Sequence, residues 1–184
     1  MNSLDLMRKF QSKIPVVREW IEKTLEENQG CAVPVIKLAF PRLSKVYPPE
    51  LLNRAKVVVV TGKVPFPQLS LMGLSEFLQI ENMHMDGVTY KDTFFISHLH
   101  QTESLHFHEL VHIVQWERLG VDNFLLAYGA GLMQFGYEDS PLEEMAYSLQ
   151  TSFDRGVLPV NIIELIQQRT GDIWNDVAFL FSKV

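Results

Sequence analysis

The chain has 184 residues, of which 47% are hydrophobic and 21% are charged. This balance permits a sizeable core in a single domain and excludes an intrinsically disordered protein. The formal net charge is −6, and the Lys and Arg residues are scattered, so we expect no nucleic-acid partner. The longest aliphatic run is Val57 to Val60, which is far too short to span a membrane.

Cys31 is the single cysteine, which rules out an internal disulfide and favours a reducing compartment. We expect Cys31 to be a small core residue. The first nine residues lack the apolar run of a signal peptide. The sequence therefore predicts a cytoplasmic protein without a membrane partner, and it leaves the oligomeric state open.

Apolar periodicity predicts a chain that is rich in α-helix. We expect a first helix over residues 4–27, with a break before Pro15 and an end near Gly30. Shorter helices are expected from Pro48 and over residues 71–80. The later helices are expected over residues 103–119, 123–135, 141–156, 159–169 and 172–181.

The strand signals are few and short. Residues 56–61 contain four consecutive valines and predict a buried strand. Residues 88–90 and 93–97 are typical of a hairpin with Lys91 and Asp92 at its turn. Residues 35–40 are compatible with either a strand or a helix. The predicted fold class is α+β, mostly helical, with a small antiparallel or mixed sheet beside the helix over residues 103–119.

The most informative motif lies in that helix. Residues 108–112 read His-Glu-Leu-Val-His, and helix positions i and i+4 share one face about 6 Å apart. His108 and His112 can therefore close on one Zn²⁺. Glu109 would lie beside a metal-bound water, where a general base for metal-assisted hydrolysis belongs.

A catalytic zinc requires a third protein ligand. Residues 140–147 read Ser-Pro-Leu-Glu-Glu-Met-Ala-Tyr, and Ser140 followed by proline predicts a helix start. Glu143 could complete a His-His-Glu site from this second helix, with Glu144 as the fallback. Ser140 and Glu143 are also spaced as a capping box, in which the carboxylate bonds only the backbone of the cap. Spacing alone leaves both roles of Glu143 open.

The two motifs together resemble the gluzincin metallopeptidases. Residues 108–115 read His-Glu-Leu-Val-His-x-x-Gln, and they are followed by the helix that opens at residue 140. Gluzincins take their third ligand from a Glu-x-x-Ala pattern on the following helix. The resemblance therefore implies Glu143 as the ligand, since Ala146 stands three positions later. Many gluzincins have a second acidic residue in this motif, where the chain has Met145.

The similarity covers about residues 56–150, and residues 87–96 are similar to the strand that gluzincins place before the active helix. It implies a zincin-like fold in one domain spanning residues 1–184. The expected parts are an N-terminal helical portion at 1–50, a zincin-like core at 56–156 and C-terminal helices at 157–184.

The resemblance also implies a zinc metallopeptidase with a Zn²⁺ cofactor and a peptide or protein substrate. The alternative is a catalytically inactive zincin-like domain that binds a metal or a protein partner. The intact Glu109 favours the enzyme, because a structural metal site has no use for a base there. A metal-free helical interaction protein would require the motif to be accidental.

All six histidines lie between residues 84 and 112. On a helix, His106 points about 200° away from His108 and cannot share its metal. His98 and His100 fall at the edge of the expected cleft. Either could contact a substrate oxyanion or orient a ligand, and the alternative is an ordinary loop residue.

Four further side chains are candidates for the surroundings of the metal. Tyr128, Tyr137 and Tyr147 could stabilise a tetrahedral intermediate by hydrogen bonding, or could serve only in aromatic packing. Gln115 lies one turn beyond His112, where we expect it to bond a backbone group beside the site.

Overall fold

A computed structural model of the chain describes residues 3–181. These residues are mostly helical, and they form seven α-helices and three 3₁₀ turns. The helices are α1 Ser3–Asn28, α2 Leu43–Val46, α3 Pro49–Arg54, α4 Leu78–Glu81, α5 Glu103–Phe135, α6 Pro141–Arg155 and α7 Ile162–Ala178. The 3₁₀ turns are Gln29–Cys31, Val35–Leu38 and Ser75–Phe77.

The strands form a mixed four-stranded sheet in the order β1-β2-β4-β3. Its members are β1 Val33–Pro34, β2 Lys56–Val60, β3 Gly87–Tyr90 and β4 Thr93–Ser97. β2 and β4 are parallel, whereas β1 with β2 and β3 with β4 are antiparallel. The predicted hairpin is confirmed, and Lys91 adopts the left-handed φ of 59° at its turn. The α+β class with a small mixed sheet is confirmed.

Helices cover both faces of the sheet. Side chains alternate along a strand, so Val57 and Phe94 face one way, towards the apolar side chains of α5, α6 and α7. Val58 and Phe95 face the other way and share a second core cluster with the apolar face of α1. The sheet therefore separates two cores, and β3 at its edge lies against α5.

α5 changes direction at Gly120, which has φ 71° and ψ 173°. The predicted end of the motif helix at this residue is confirmed as a break in helical geometry, after which the chain continues as helix to Phe135. A positive φ is readily accepted by glycine because it has no Cβ. Of the described helices, none is long and apolar enough to cross a membrane.

α1 runs through Pro15 without interruption, so the predicted break before this residue is wrong. Proline removes one backbone hydrogen bond from a helix interior. Pro15 is exposed, while Phe10, Ile14 and Val17 on the same helix are buried. Packing of this apolar face keeps the helix continuous.

The two helices predicted over residues 159–169 and 172–181 are also wrong, because α7 is a single helix. Gly171, which lies between the two predicted helices, is buried inside α7. A Cβ at this position would lie 3.0 Å from Nη2 of Arg118 on α5. The glycine thus serves close packing between the two helices.

Three smaller predictions are corrected as well. Cys31 is exposed, because the 3₁₀ turn after α1 contains no buried residue. The helix predicted over residues 71–80 begins only at residue 75, first as a 3₁₀ turn and then as α4. Residues 35–40, for which strand and helix were both open, contain a 3₁₀ turn.

Candidate metal centre

Two helices bring the three predicted metal ligands together. His108 and His112 lie one turn apart on α5, and their Nε2 atoms are 3.1 Å from each other. Oε2 of Glu143, in the first turn of α6, lies 3.4 Å from each of these nitrogens. Ligand atoms at 2.0–2.2 Å from a tetrahedral ion are about 3.3–3.6 Å apart. The group could therefore hold a metal ion.

Two glutamines orient the imidazole rings. Nδ1 of His112 lies 2.8 Å from Oε1 of Gln115, and Nδ1 of His108 lies 3.1 Å from Oε1 of Gln150. An amide oxygen only accepts, so each Nδ1 carries a proton, and Nε2 is the nitrogen that a neutral ring can offer to a metal. Gln115 also donates from Nε2 to the backbone oxygen of Leu142 at 3.0 Å, as its position in the sequence predicted.

The two carboxylate oxygens of Glu143 have different neighbours. Its Oε1 accepts a hydrogen bond of 2.6 Å from the hydroxyl of Tyr128. Its Oε2 is buried and, within residues 3–181, has no hydrogen-bond donor, although it faces the two Nε2 atoms. A buried carboxylate oxygen without a partner is costly. A cation bound between the three groups would satisfy it, so the residues present fit a metal.

The charges of the group are coupled. Burial alone would raise the pKa of Glu143, but the imidazoles of His112 and His108 outweigh it and hold that pKa far below its usual range. Burial alone would lower the pKa of His112, but the adjacent carboxylate of Glu143 outweighs it and raises that pKa to about 9. Without a metal, the group thus favours an ionised Glu143 carboxylate beside a protonated His112 imidazole. A bound metal cation would take the place of that proton.

The capping box, one of the two roles left open for Glu143, does not form. Ser140 is the N-cap residue of α6, but its hydroxyl caps no backbone N–H, and Glu143 turns towards the histidines instead. The hydroxyl of Ser140 is buried with no hydrogen-bond partner in the described chain. Glu144, the fallback ligand, is exposed and does not belong to the group. The two imidazoles attract the carboxylate of Glu143 more strongly than the N-terminus of α6 does.

Glu109 lies beside the group without belonging to it, and β3 holds its carboxylate. The hydroxyl of Thr89 donates to Oε2 of Glu109 at 2.6 Å. Gly87 leaves room for the other oxygen, since a Cβ there would lie only 2.2 Å from Oε1. Burial raises the pKa of Glu109, although the neighbouring imidazoles of His108 and His112 oppose this.

Neither Gly87 nor Thr89 was recognised in the sequence as a site residue. The available signal was their spacing of two, which puts both side chains on one face of a strand. The resemblance placed that strand before the active helix. Only the packing of β3 on α5 shows that this face meets Glu109.

A cavity of about 80 Å³ lies next to the candidate metal ligands and Glu109. Apart from the site residues themselves its walls are mostly apolar. They are contributed by α1, by the segment between β2 and β3, and by the part of α5 beyond Gly120. The apolar residues that line it include Phe10, Val17, Ile21, Phe66, Leu69, Met85, Phe124 and Leu132.

The three tyrosines take different positions. Tyr128 is committed to Glu143 through its hydroxyl. Tyr137 lines the cavity, and its hydroxyl lies near that of Tyr147. The ring of Tyr147 packs 4.6 Å from the ring of His108. Tyr137 is therefore the tyrosine whose hydroxyl is best placed to face a group bound in the cavity.

The remaining histidines lie outside the metal group. His106 is buried, and its Nδ1 hydrogen-bonds the backbone oxygen of Thr102 at 2.8 Å, in agreement with its predicted direction on the helix. His98 and His100 are exposed. Nε2 of His100 lies 3.6 Å from Oδ1 of Asp86, so it pairs with this carboxylate rather than approaching the metal ligands.

No protein-family model, no curated protein sequence and no solved structure matches this chain. The function has to be argued from the chemistry of the site.

Proposed function

We propose that the protein is a zinc-dependent metallopeptidase of the gluzincin type, with a zincin-like fold. The observation that carries the proposal is a buried His-His-Glu group with a separate carboxylate beside it. Two imidazoles and one carboxylate are ligands that suit Zn²⁺, and three protein ligands leave a position for water or substrate. Bound zinc supplies an activated water and polarises a carbonyl oxygen.

Each residue of the site has a separable role in this proposal. His108, His112 and Glu143 hold the metal. Glu109 is the general base, which takes a proton from the attacking water and passes it to the leaving amine. Thr89 positions Glu109 by its hydrogen bond, and Tyr128 directs the free oxygen of Glu143 towards the histidines.

A metal-binding domain without catalysis is the second candidate. The closure of the site favours it, because each of the four site residues is at most 5% exposed. A purely structural metal would, however, normally have four protein ligands. Within residues 3–181 the group has three members, and Glu109 is held apart from it by β3.

Metal analysis of the purified protein tests the site first, with wild type beside His108→Ala. About one zinc per chain, lost in the variant, is the expected result. No metal in either protein after zinc has been offered would exclude a zinc site and leave a helical interaction protein as the interpretation.

Glu109→Gln then separates the two candidates. The amide keeps the shape of the side chain but cannot take up the proton, so hydrolysis of a peptide library should be abolished while zinc stays bound. A variant as active as the wild type would contradict the peptidase mechanism. A zinc-bound wild type without activity on any peptide, with its cleft shown to be open, would favour the non-catalytic domain.

A further inference from the structure

The candidate site is closed to any peptide in this conformation. The cavity beside Glu109 has about 80 Å³, whereas a water molecule takes about 30 Å³ and ligand pockets typically measure about 300–1,000 Å³. His108, Glu109, His112 and Glu143 are each 5% exposed or less. Substrate can reach Glu109 only after part of the surrounding wall has moved.

α1 is the wall that lies over the cavity. Phe10, Val17 and Ile21 from its apolar face line it. The ring of Phe10 packs against Gly129 on α5, where a Cβ would lie only 2.3 Å from Cε1 of Phe10. A side chain at position 129 would therefore exclude Phe10. The absence of a side chain at Gly129 allows α1 to pack closely against α5 beside the cavity.

α1 is attached to the rest of the protein mainly through its buried apolar face. Within residues 3–181, no backbone-to-backbone hydrogen bond joins α1 to another helix or to the sheet. Its side-chain links to other elements include the partly exposed ion pairs Lys9–Glu76, Arg18–Asp122 and Glu22–Lys91, and exposed pairs of this kind contribute little to stability. Apolar contacts hold the helix, so it can leave as a unit without breaking the sheet.

We propose that α1 is a cover over the metal site, and that peptide enters only when α1 has moved away. This inference rests on the proposed peptidase function. The surface exposed by such a movement is apolar, with Phe66, Leu69 and Phe124 on it. A charged side chain would lose its hydration there without gaining a partner. The substrate segment that replaces α1 is therefore apolar.

A covalent link between α1 and α5 tests the cover. Arg18→Cys and Asp122→Cys, in a Cys31→Ser background, would be joined by a short flexible bismaleimide. The matched control joins α3 to α5 in the same way through Arg54→Cys and Glu117→Cys. Like the first pair, it replaces an exposed ion pair with one partner on α5.

The readout is the rate at which excess chelator removes zinc, measured with a colorimetric zinc indicator. The α1 link should slow zinc removal at least tenfold relative to the same variant without the linker, and the α3 link should leave it unchanged. Equal rates with and without the α1 link would overturn the proposal, since zinc would then leave by a path that α1 does not control.

Loosening the cover should have the opposite effect. Phe10→Ala should speed zinc removal about tenfold, whereas Val16→Ala, on the exposed side of α1, should not change it. A quenched fluorescent peptide with Leu and Phe around its centre should be cleaved faster by the Phe10→Ala variant. A matched peptide with Glu and Lys at those positions should resist cleavage, and equal cleavage of both peptides would refute the apolar substrate.

The failure of one proposal can be told from the failure of the other. If the α1 link slows zinc removal but no variant cleaves any peptide, the cover stands and the peptidase function fails. If peptides are cleaved at equal rates with and without the α1 link, the peptidase stands and the cover is refuted.

Discussion

The two sides of the cavity are built from different interactions. On the side of α5, α6 and β3, hydrogen bonds from Gln115, Gln150, Tyr128 and Thr89 hold the functional side chains. On the side of α1 the contacts are apolar packing and exposed ion pairs. Hydrogen bonds fix direction, whereas apolar contact fixes only proximity. The polar side therefore determines the geometry of the candidate metal ligands, and in our proposal the apolar side controls access to them.

The largest effect is expected on the polar side, from loss of the third ligand. Glu143→Ala should lower zinc affinity by more than about 1,000-fold, because one of three protein ligands is removed. Glu144→Ala, its exposed neighbour, is the control and should bind zinc as the wild type does. Competition with a chelator of known affinity measures both. A larger loss of zinc affinity in the Glu144→Ala variant than in the Glu143→Ala variant would make Glu144 the third ligand.

On the apolar side, removal of a buried ring should affect stability instead of metal affinity. Phe10→Ala should lower the free energy of unfolding by about 3–5 kcal/mol, since Phe10 is buried against α5 and Phe77. Its equilibrium zinc affinity should change less than threefold. Chemical denaturation and chelator competition give the two quantities. A large loss of zinc affinity would show that α1 also shapes the metal ligands.

The hydrogen bond from β3 to the base provides a sharper test of the polar side. Thr89→Val keeps the shape of the side chain but removes the donor to Glu109, and should lower kcat about 10- to 100-fold through misplacement of the base. KM and zinc content should stay near the wild-type values. Thr89→Ser restores the hydroxyl and should recover most of the activity. Equal kcat in all three proteins would deny Thr89 a positioning role.

The smallest effect is expected from the competition of protons with zinc for His112, expressed as the change in zinc affinity per pH unit. The metal-free protein keeps His112 protonated up to a pKa of about 9, and zinc binds only the neutral imidazole. Zinc affinity should therefore rise about tenfold per unit from pH 7 and level off above pH 9. Calorimetric titrations in buffers of different ionisation enthalpy would also detect the released proton. An affinity that is flat over this range would show that no such proton is displaced.

The parts of the structure that could be predicted from sequence are those fixed by local geometry. The spacing of His108 and His112 determines that they share a helix face, whatever else the chain does. Helix starts with proline in the first turn and the hairpin around Lys91 follow from the conformations of a few adjacent residues. These predictions agree with the structure because no distant contact is needed to form them.

The remaining features required contacts between residues far apart in the chain. Pro15 and Gly171 weaken a helix locally, yet burial of α1 and close packing of α7 on α5 keep both helices continuous. The approach of α6 to α5 turns Glu143 towards the histidines and away from the cap, which no spacing within α6 reveals.

The sequence by itself determined which side chains could bind a metal and provide a base, since helical periodicity is a property of neighbouring residues. Only the tertiary structure decided which glutamate faces the histidines, that Thr89 and Gly87 surround the carboxylate of Glu109, and that α1 lies over the cavity. Those outcomes depend on the packing of complete helices and strands, whose relative positions are set by the whole core.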